Sequence, residues 1–94
     1  MVSGCYEGIG RTLRFESSAS VKANLTKVVK IVVEARAGGG GFVKLYDATS
    51  ATGTALWHVA TPDDFSVLEF NVTLDCRTAC YLALSNAYAV VTFY

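Results

Sequence analysis

Charge, histidine, proline and long apolar runs are all scarce in this chain, and each shortage removes a class of function. Only 17% of the 94 residues are charged, with eight Lys plus Arg against eight Asp plus Glu. The resulting net charge of zero removes the clustered basic excess with which proteins grip nucleic-acid phosphates. The single histidine, His58, has no G-x-S-x-G elbow or comparable motif beside it. An enzyme would have to combine His58 with Asp63 or Asp64, whereas a lone strand histidine ordinarily serves as a surface or packing residue. Together with cysteines at positions 5, 76 and 80, it does not reproduce the ligand spacing of a zinc site. No catalytic residue, metal or cofactor is therefore expected. The most apolar stretch, residues 28–37, is interrupted by Lys30, Glu34 and Arg36 and falls short of the ~18 apolar residues of a membrane helix. The leading MVSGCYEGIGR carries neither a basic leader nor an apolar h-region, so no secretory signal is expected.

Apolar side chains, by contrast, are abundant. Hydrophobic residues make up 52% of the chain and the mean hydropathy is +0.38, values that exclude a disordered polymer. The length suits one domain. A chain of this size buries only about 60–70% of its unfolded surface when it folds alone. Part of the apolar surplus is then left facing outward, and exposed apolar patches mark binding or oligomer interfaces. Low charge points the same way, because the centre of an interface is depleted in charged residues. Composition thus describes a subunit of an assembly.

Residues 1–10 place Gly4, Gly8 and Gly10 among Val2, Cys5, Tyr6 and Ile9. They are too rich in glycine for a regular element and too apolar for a solvated tail, and read as an extended arm ordered against a neighbour. A single domain is expected over residues 11–94. Residues 12–16 alternate with Leu13 and Phe15 on one face, and a short strand follows over residues 21–23. Residues 27–37 form the strongest strand, dense in β-branched side chains that would crowd a helix. Simple alternation there puts Val29, Ile31, Val33 and Ala35 on one face. Val28, Lys30, Val32, Glu34 and Arg36 fall on the other, half charged and half valine. Further strands are predicted over residues 42–46, 55–60, 67–75, 80–84 and 89–94, with Leu68, Phe70, Val72 and Leu74 inward. Short strands with turn signals roughly every 8–12 residues indicate an all-β fold, a compact antiparallel β-sandwich of jelly-roll-like or Ig-like form.

Four local features invite chemistry. Cys76 and Cys80 flank a three-residue bend read as a tight hairpin loop; two reduced thiols packed as small hydrophobes are favoured there over a cross-hairpin disulfide. Gly38-Gly39-Gly40-Gly41 leads into a strand rather than a helix, which suits a flexible hairpin connection better than a phosphate cradle. Asp63-Asp64 after Pro62 reads as a solvated turn, because Ca²⁺ draws its oxygens from several segments. Among the aromatics, Tyr46, Trp57, Phe65, Phe70, Tyr81 and Phe93 lie on strands or their edges, where a sandwich core is the default place for them.

A longer pattern joins Lys30-Ile31-Val32-Val33, the glycine-rich turn, and Val43-Lys44-Leu45-Tyr46-Asp47-Ala48-Thr49-Ser50-Ala51-Thr52-Gly53-Thr54. It ends in Ala89-Val90-Val91-Thr92-Phe93-Tyr94. In these residues the chain resembles small β-sandwich virion proteins encoded by tailed bacteriophages; Cys76, Cys80 and the tetraglycine stand outside that pattern. Such proteins commonly cement or decorate capsids, often as trimers at symmetry axes, while others serve in tails or fibres. The resemblance implies a non-enzymatic subunit on the capsid surface of a virion, made in the host cytoplasm. Its partners would be the major capsid protein and its own copies as a homotrimer, with no nucleic acid and no membrane. Val2, Tyr6 and Ile9 of the arm and Val28 and Val32 of the mixed strand face are the expected contact residues. The alternative is a tail or fibre module that grips a host glycan through aromatic side chains. A secreted carbohydrate-binding or adhesin domain would be favoured if Cys76 and Cys80 were bonded.

Overall fold

The computed structural model describes residues 10–38, 40–62 and 65–94. Its strands are β1 (Arg11–Phe15), β2 (Ala19–Lys22), β3 (Thr26–Ala35), β4 (Phe42–Tyr46), β5 (Trp57–Ala60), β6 (Val67–Cys76), β7 (Cys80–Ser85) and β8 (Ala87–Phe93). They form two four-stranded sheets, a first in the order β1-β8-β3-β6 and a second in the order β2-β7-β4-β5. Every pairing is antiparallel, and the pairs β4·β5, β3·β6, β2·β7 and β1·β8 nest one outside the next while alternating between sheets. Of the two sandwich forms expected, this nesting is that of the jelly roll.

Among the described strands only β4 and β5 make a hairpin within one sheet; every other link between consecutive strands crosses to the opposite sheet. Two sequence expectations are corrected by this. The glycine-rich link is not a hairpin connection but the corner between β3 and β4, with Gly38 (φ 115°) and Gly40 (φ 70°) in conformations that side chains rarely adopt. Likewise, residues 77–79 join β6 of the first sheet to β7 of the second, and these two strands do not pair. Asn86 alone separates β7 from β8; it takes a left-handed φ of 48° and donates its amide to the carbonyls of Arg36 (3.3 Å) and Ala37 (3.1 Å). One side chain thus ties two corners together.

The core lies between the inward faces. Val28, Ile31, Val33, Ala89, Val91 and Phe93 of the first sheet meet Val43, Leu45, Cys80 and Leu82 of the second, all fully or nearly fully buried. Trp57 of β5 meets Phe70 of β6 edge to face, with centroids 5.3 Å apart, and so joins an edge of each sheet. The predicted inward set of β6 holds, with Leu68, Phe70, Val72 and Leu74 packed against this core.

Strand β3 departs from simple alternation. Its register shifts between Val28 and Lys30 against both neighbours: Val28 pairs with Phe93 and Lys30 with Thr92, which leaves Val29 as an extra residue opposite β8. The bulge reverses the inward parity, so Thr26 and Val28 face the core before it and Ile31, Val33 and Ala35 after it. Val28 therefore has 0% exposure, and its placement on the mixed outward face is corrected. Val32 keeps that outward position.

Candidate functional site

The apolar surplus surfaces on the outward face of the first sheet. Register lines up Arg14, Val90, Val32 and Glu69 across its four strands, and sets Tyr88, Glu34 and Val67 in the next row. Past the strand ends, Arg36 and Phe65 continue the surface. Two guanidinium groups approach the Tyr88 ring, Arg14 at 5.1 Å and Arg36 at 4.7 Å, and Arg36 also covers the Phe65 ring at 5.2 Å. Arg14 grips Glu34 through both terminal nitrogens and reaches Glu16 through Nε at 3.2 Å. The bonds to Glu34, and then to Glu16, hold its guanidinium more firmly in the charged form. On the far side of Val32, Lys30 pairs with Glu69 at 2.9 Å.

Phe65 and Val67, at 65% and 64% exposure, are the most exposed large apolar side chains among the described residues. Ser66 between them anchors the backbone, its carbonyl accepting the Ala35 N–H at 2.9 Å. Both side chains stand at the start of β6, an outer strand of the first sheet whose free edge has no partner strand among the described residues. Aromatic rings and arginines gathered on a firm sheet are the residue types enriched in protein contact surfaces. Such a group can desolvate and clamp another surface; it offers no nucleophile.

Of the residues singled out from the sequence, Val32 lies in the middle of this face, half buried between Val90 and Glu69. Val28 does not join it. Val2, Tyr6 and Ile9 lie outside the described residues, as do Asp63 and Asp64. His58 is exposed on the outward face of the second sheet, opposite Lys44, whose ammonium lies 4.8 Å over the Phe42 ring. No three His, Cys, Asp or Glu side chains gather as a metal would require among the described residues. Cys76 and Cys80 are both buried free thiols, hydrogen-bonded to each other. Phe65, expected in the core, is the second correction of position, and Tyr81, which lies between the inward Cys80 and Leu82 and faces outward, is the third. The alternation that turns Leu68 inward turns Val67, and by extension Phe65, outward, so the signal was there in β6's own period. Arg14, Arg36 and Tyr88 carried none, because their meeting depends on strands far apart in the chain.

At the opposite end of β4, Asp47 organises the cysteine turn. Its carboxylate accepts the backbone N–H of Thr78 at 2.9 Å and of Ala79 at 3.4 Å. The Thr78 N–H, followed by that of Arg77, holds Asp47 below its ordinary value. A depressed carboxylate contributes stability that is fully present above the unfolded value, about 3.9, and is lost as pH falls through the lower folded value. Thermal melts between pH 2 and 6 are thus expected to show the native chain losing stability at the acid end. Asp47→Asn should start from a lower midpoint and fall less steeply there; an equal slope in both chains would remove Asp47 from the acid response.

No protein-family profile, curated protein or solved structure matches this chain.

Proposed function

We propose that the chain is a non-enzymatic structural subunit of a bacteriophage virion, a cement or decoration protein that binds the outer shell and stabilises the head. The observation that carries this reading is the exposed Phe65–Val67 pair, set beside the Arg36–Tyr88–Arg14 stack on an outward sheet face. So much apolar and aromatic area on a small domain favours a covered surface in the working state. Jelly rolls recur in viral shells and in lectins, a fold-level analogy that agrees with the resemblance in the sequence.

Self-association fits the sheet edges. Strand direction alternates across β1-β8-β3-β6, so β6 of one copy would run antiparallel to β1 of the next. β6 offers Asp75 and β1 offers Arg11, opposite charges on opposite edges, while Glu69 and Arg14 are already engaged by Lys30 and Glu34. A head-to-tail contact of that kind gives a ring where its rotation closes after a whole number of copies, and a trimer is the three-copy case. Light scattering on the purified chain is expected to give a trimer, and heads carrying it should resist heat better than bare heads. Replacing Phe65 and Val67 by Ser should weaken occupancy of the shell by tenfold or more, since losing about 1.4 kcal/mol of apolar contact is a factor of ten in affinity. A monomer absent from the shell would overturn the proposal. A low copy number on the tail would instead favour the glycan-gripping fibre module, for which Phe42, Lys44, Tyr81 and His58 on the second sheet are the available platform.

A further inference from the structure

Cys76 is the last residue of β6 and pairs with Thr26 in the first sheet; Cys80 is the first residue of β7 and pairs with Lys22 in the second. Both have 0% exposure, both belong to the core cluster, and their side chains hydrogen-bond across the corner. Only Arg77, Thr78 and Ala79 intervene, and their backbone is held by the Asp47 carboxylate through the Thr78 and Ala79 N–H groups. The contact between the sulfurs is therefore a contact between sheets, made at a corner that a third segment holds closed.

We propose that Cys76 and Cys80 form an oxidisable pair, which a small-molecule disulfide such as oxidised glutathione converts into a disulfide clamping the first sheet to the second. The Cys76 thiolate attacks the glutathione disulfide, forming a protein–glutathione mixed disulfide and releasing one glutathione thiolate. The Cys80 thiolate then attacks the Cys76 sulfur of that mixed disulfide and expels the second glutathione. Two protein thiols lose two protons and two electrons, and one glutathione disulfide becomes two thiols. Cys76 suits the first step, because the hydrogen bond from Cys80 lowers it while the same bond and burial raise Cys80. Since neither sulfur meets solvent, the oxidant gains access only when the corner opens, and Asp47 sets how often that happens. The clamp is consequently slow to form and slow to reduce.

The test uses the full chain refolded from denaturant in a glutathione redox buffer, which gives the oxidant access whatever the native opening rate. Free thiols are then alkylated and the chain is cut with trypsin, which cleaves after Arg77 and separates the two cysteines. The expected product is a non-reduced pair of fragments joined through Cys76 and Cys80, with the intact mass lower by two hydrogens. The oxidised chain should melt about 10 °C higher than the reduced chain, the order expected for a short cross-link in a domain of this size. A Cys76→Ala/Cys80→Ala chain should show no oxidant-dependent shift. Native Asp47→Asn should be oxidised several-fold faster than the native parent. Complete alkylation of both cysteines after refolding in the oxidising buffer would overturn the proposal, as would linkage of either one to Cys5 instead.

Discussion

Replacing Val28 by lysine is expected to cost most of the stability of the fold, whereas the same replacement at Val32 is expected to be mild. The two valines lie four residues apart on one strand, and uninterrupted alternation gives them the same face. The bulge at Val29 separates them, sending Val28 into the core with Phe93 and Leu74 as cross-strand partners and leaving Val32 outward beside Glu69. An ammonium at position 28 would have to lose its proton or drag water into the sandwich, at a cost on the order of 4 kcal/mol. That approaches the whole stability of a small domain, about 5 kcal/mol at the low end of the usual range. At position 32 a lysine stem can lie along Val90 with its head in water, and the loss should stay near 1 kcal/mol. Urea unfolding of the two variants measures both. Equal losses would mean that β3 runs without a bulge.

Gly41→Ala is the second large effect, and its cause is steric. Gly41 is buried where the chain enters β4, and its carbonyl accepts the Thr61 N–H at 3.0 Å. A Cβ there would lie 2.2 Å from Thr61 Oγ1, 2.7 Å from the Asn86 carbonyl oxygen and 3.0 Å from that of Ser85. The threonine hydroxyl, buried without a hydrogen-bond partner among the described residues, can rotate aside. The two carbonyls cannot, because they belong to the one-residue turn that joins β7 to β8 and carries the left-handed Asn86. A single methyl group should therefore cost about 3 kcal/mol, the upper part of the range for overpacked sites. Chemical denaturation gives the number. In a Gly41→Ala/Thr61→Ala chain only part of the loss should return, since the carbonyl contacts remain. Full recovery would place the obstruction at Thr61 alone.

These two residues also mark where local sequence stops being informative. Strand positions were legible to within two residues, because period-two alternation in segments such as Leu68, Phe70, Val72 and Leu74 is imposed by one buried face. The reversal at Val29 was not, since its cause is a mismatch in pairing with β8 that only the partner strand reveals. Gly41 reads as one more member of a flexible run until β7 and β8 are laid against it. The outward patch has the same character. Val32 could be picked from its own strand, but the stack of Arg14, Tyr88, Arg36 and Phe65 draws on four segments that share nothing in sequence. A side chain's inward or outward direction is local information; its neighbours on the finished surface are not.

The nested order of pairing has a kinetic consequence as well. The loop between β4 and β5 is the one place where consecutive strands meet in a sheet, so it is the natural nucleus, and each outer pair can zip only after the one inside it has closed. The span grows until Thr12 and Thr92, 80 residues apart, bond through their hydroxyls. Each doubling of a closed loop adds only about 0.6 kcal/mol of lost chain entropy, so the outermost pairing is late rather than forbidden. High contact order of this kind gives refolding on the millisecond-to-second scale. It also makes β1, paired among the described strands with β8 alone and tied to β3 through Arg14 and Glu34, the last strand to anneal and the first to peel away.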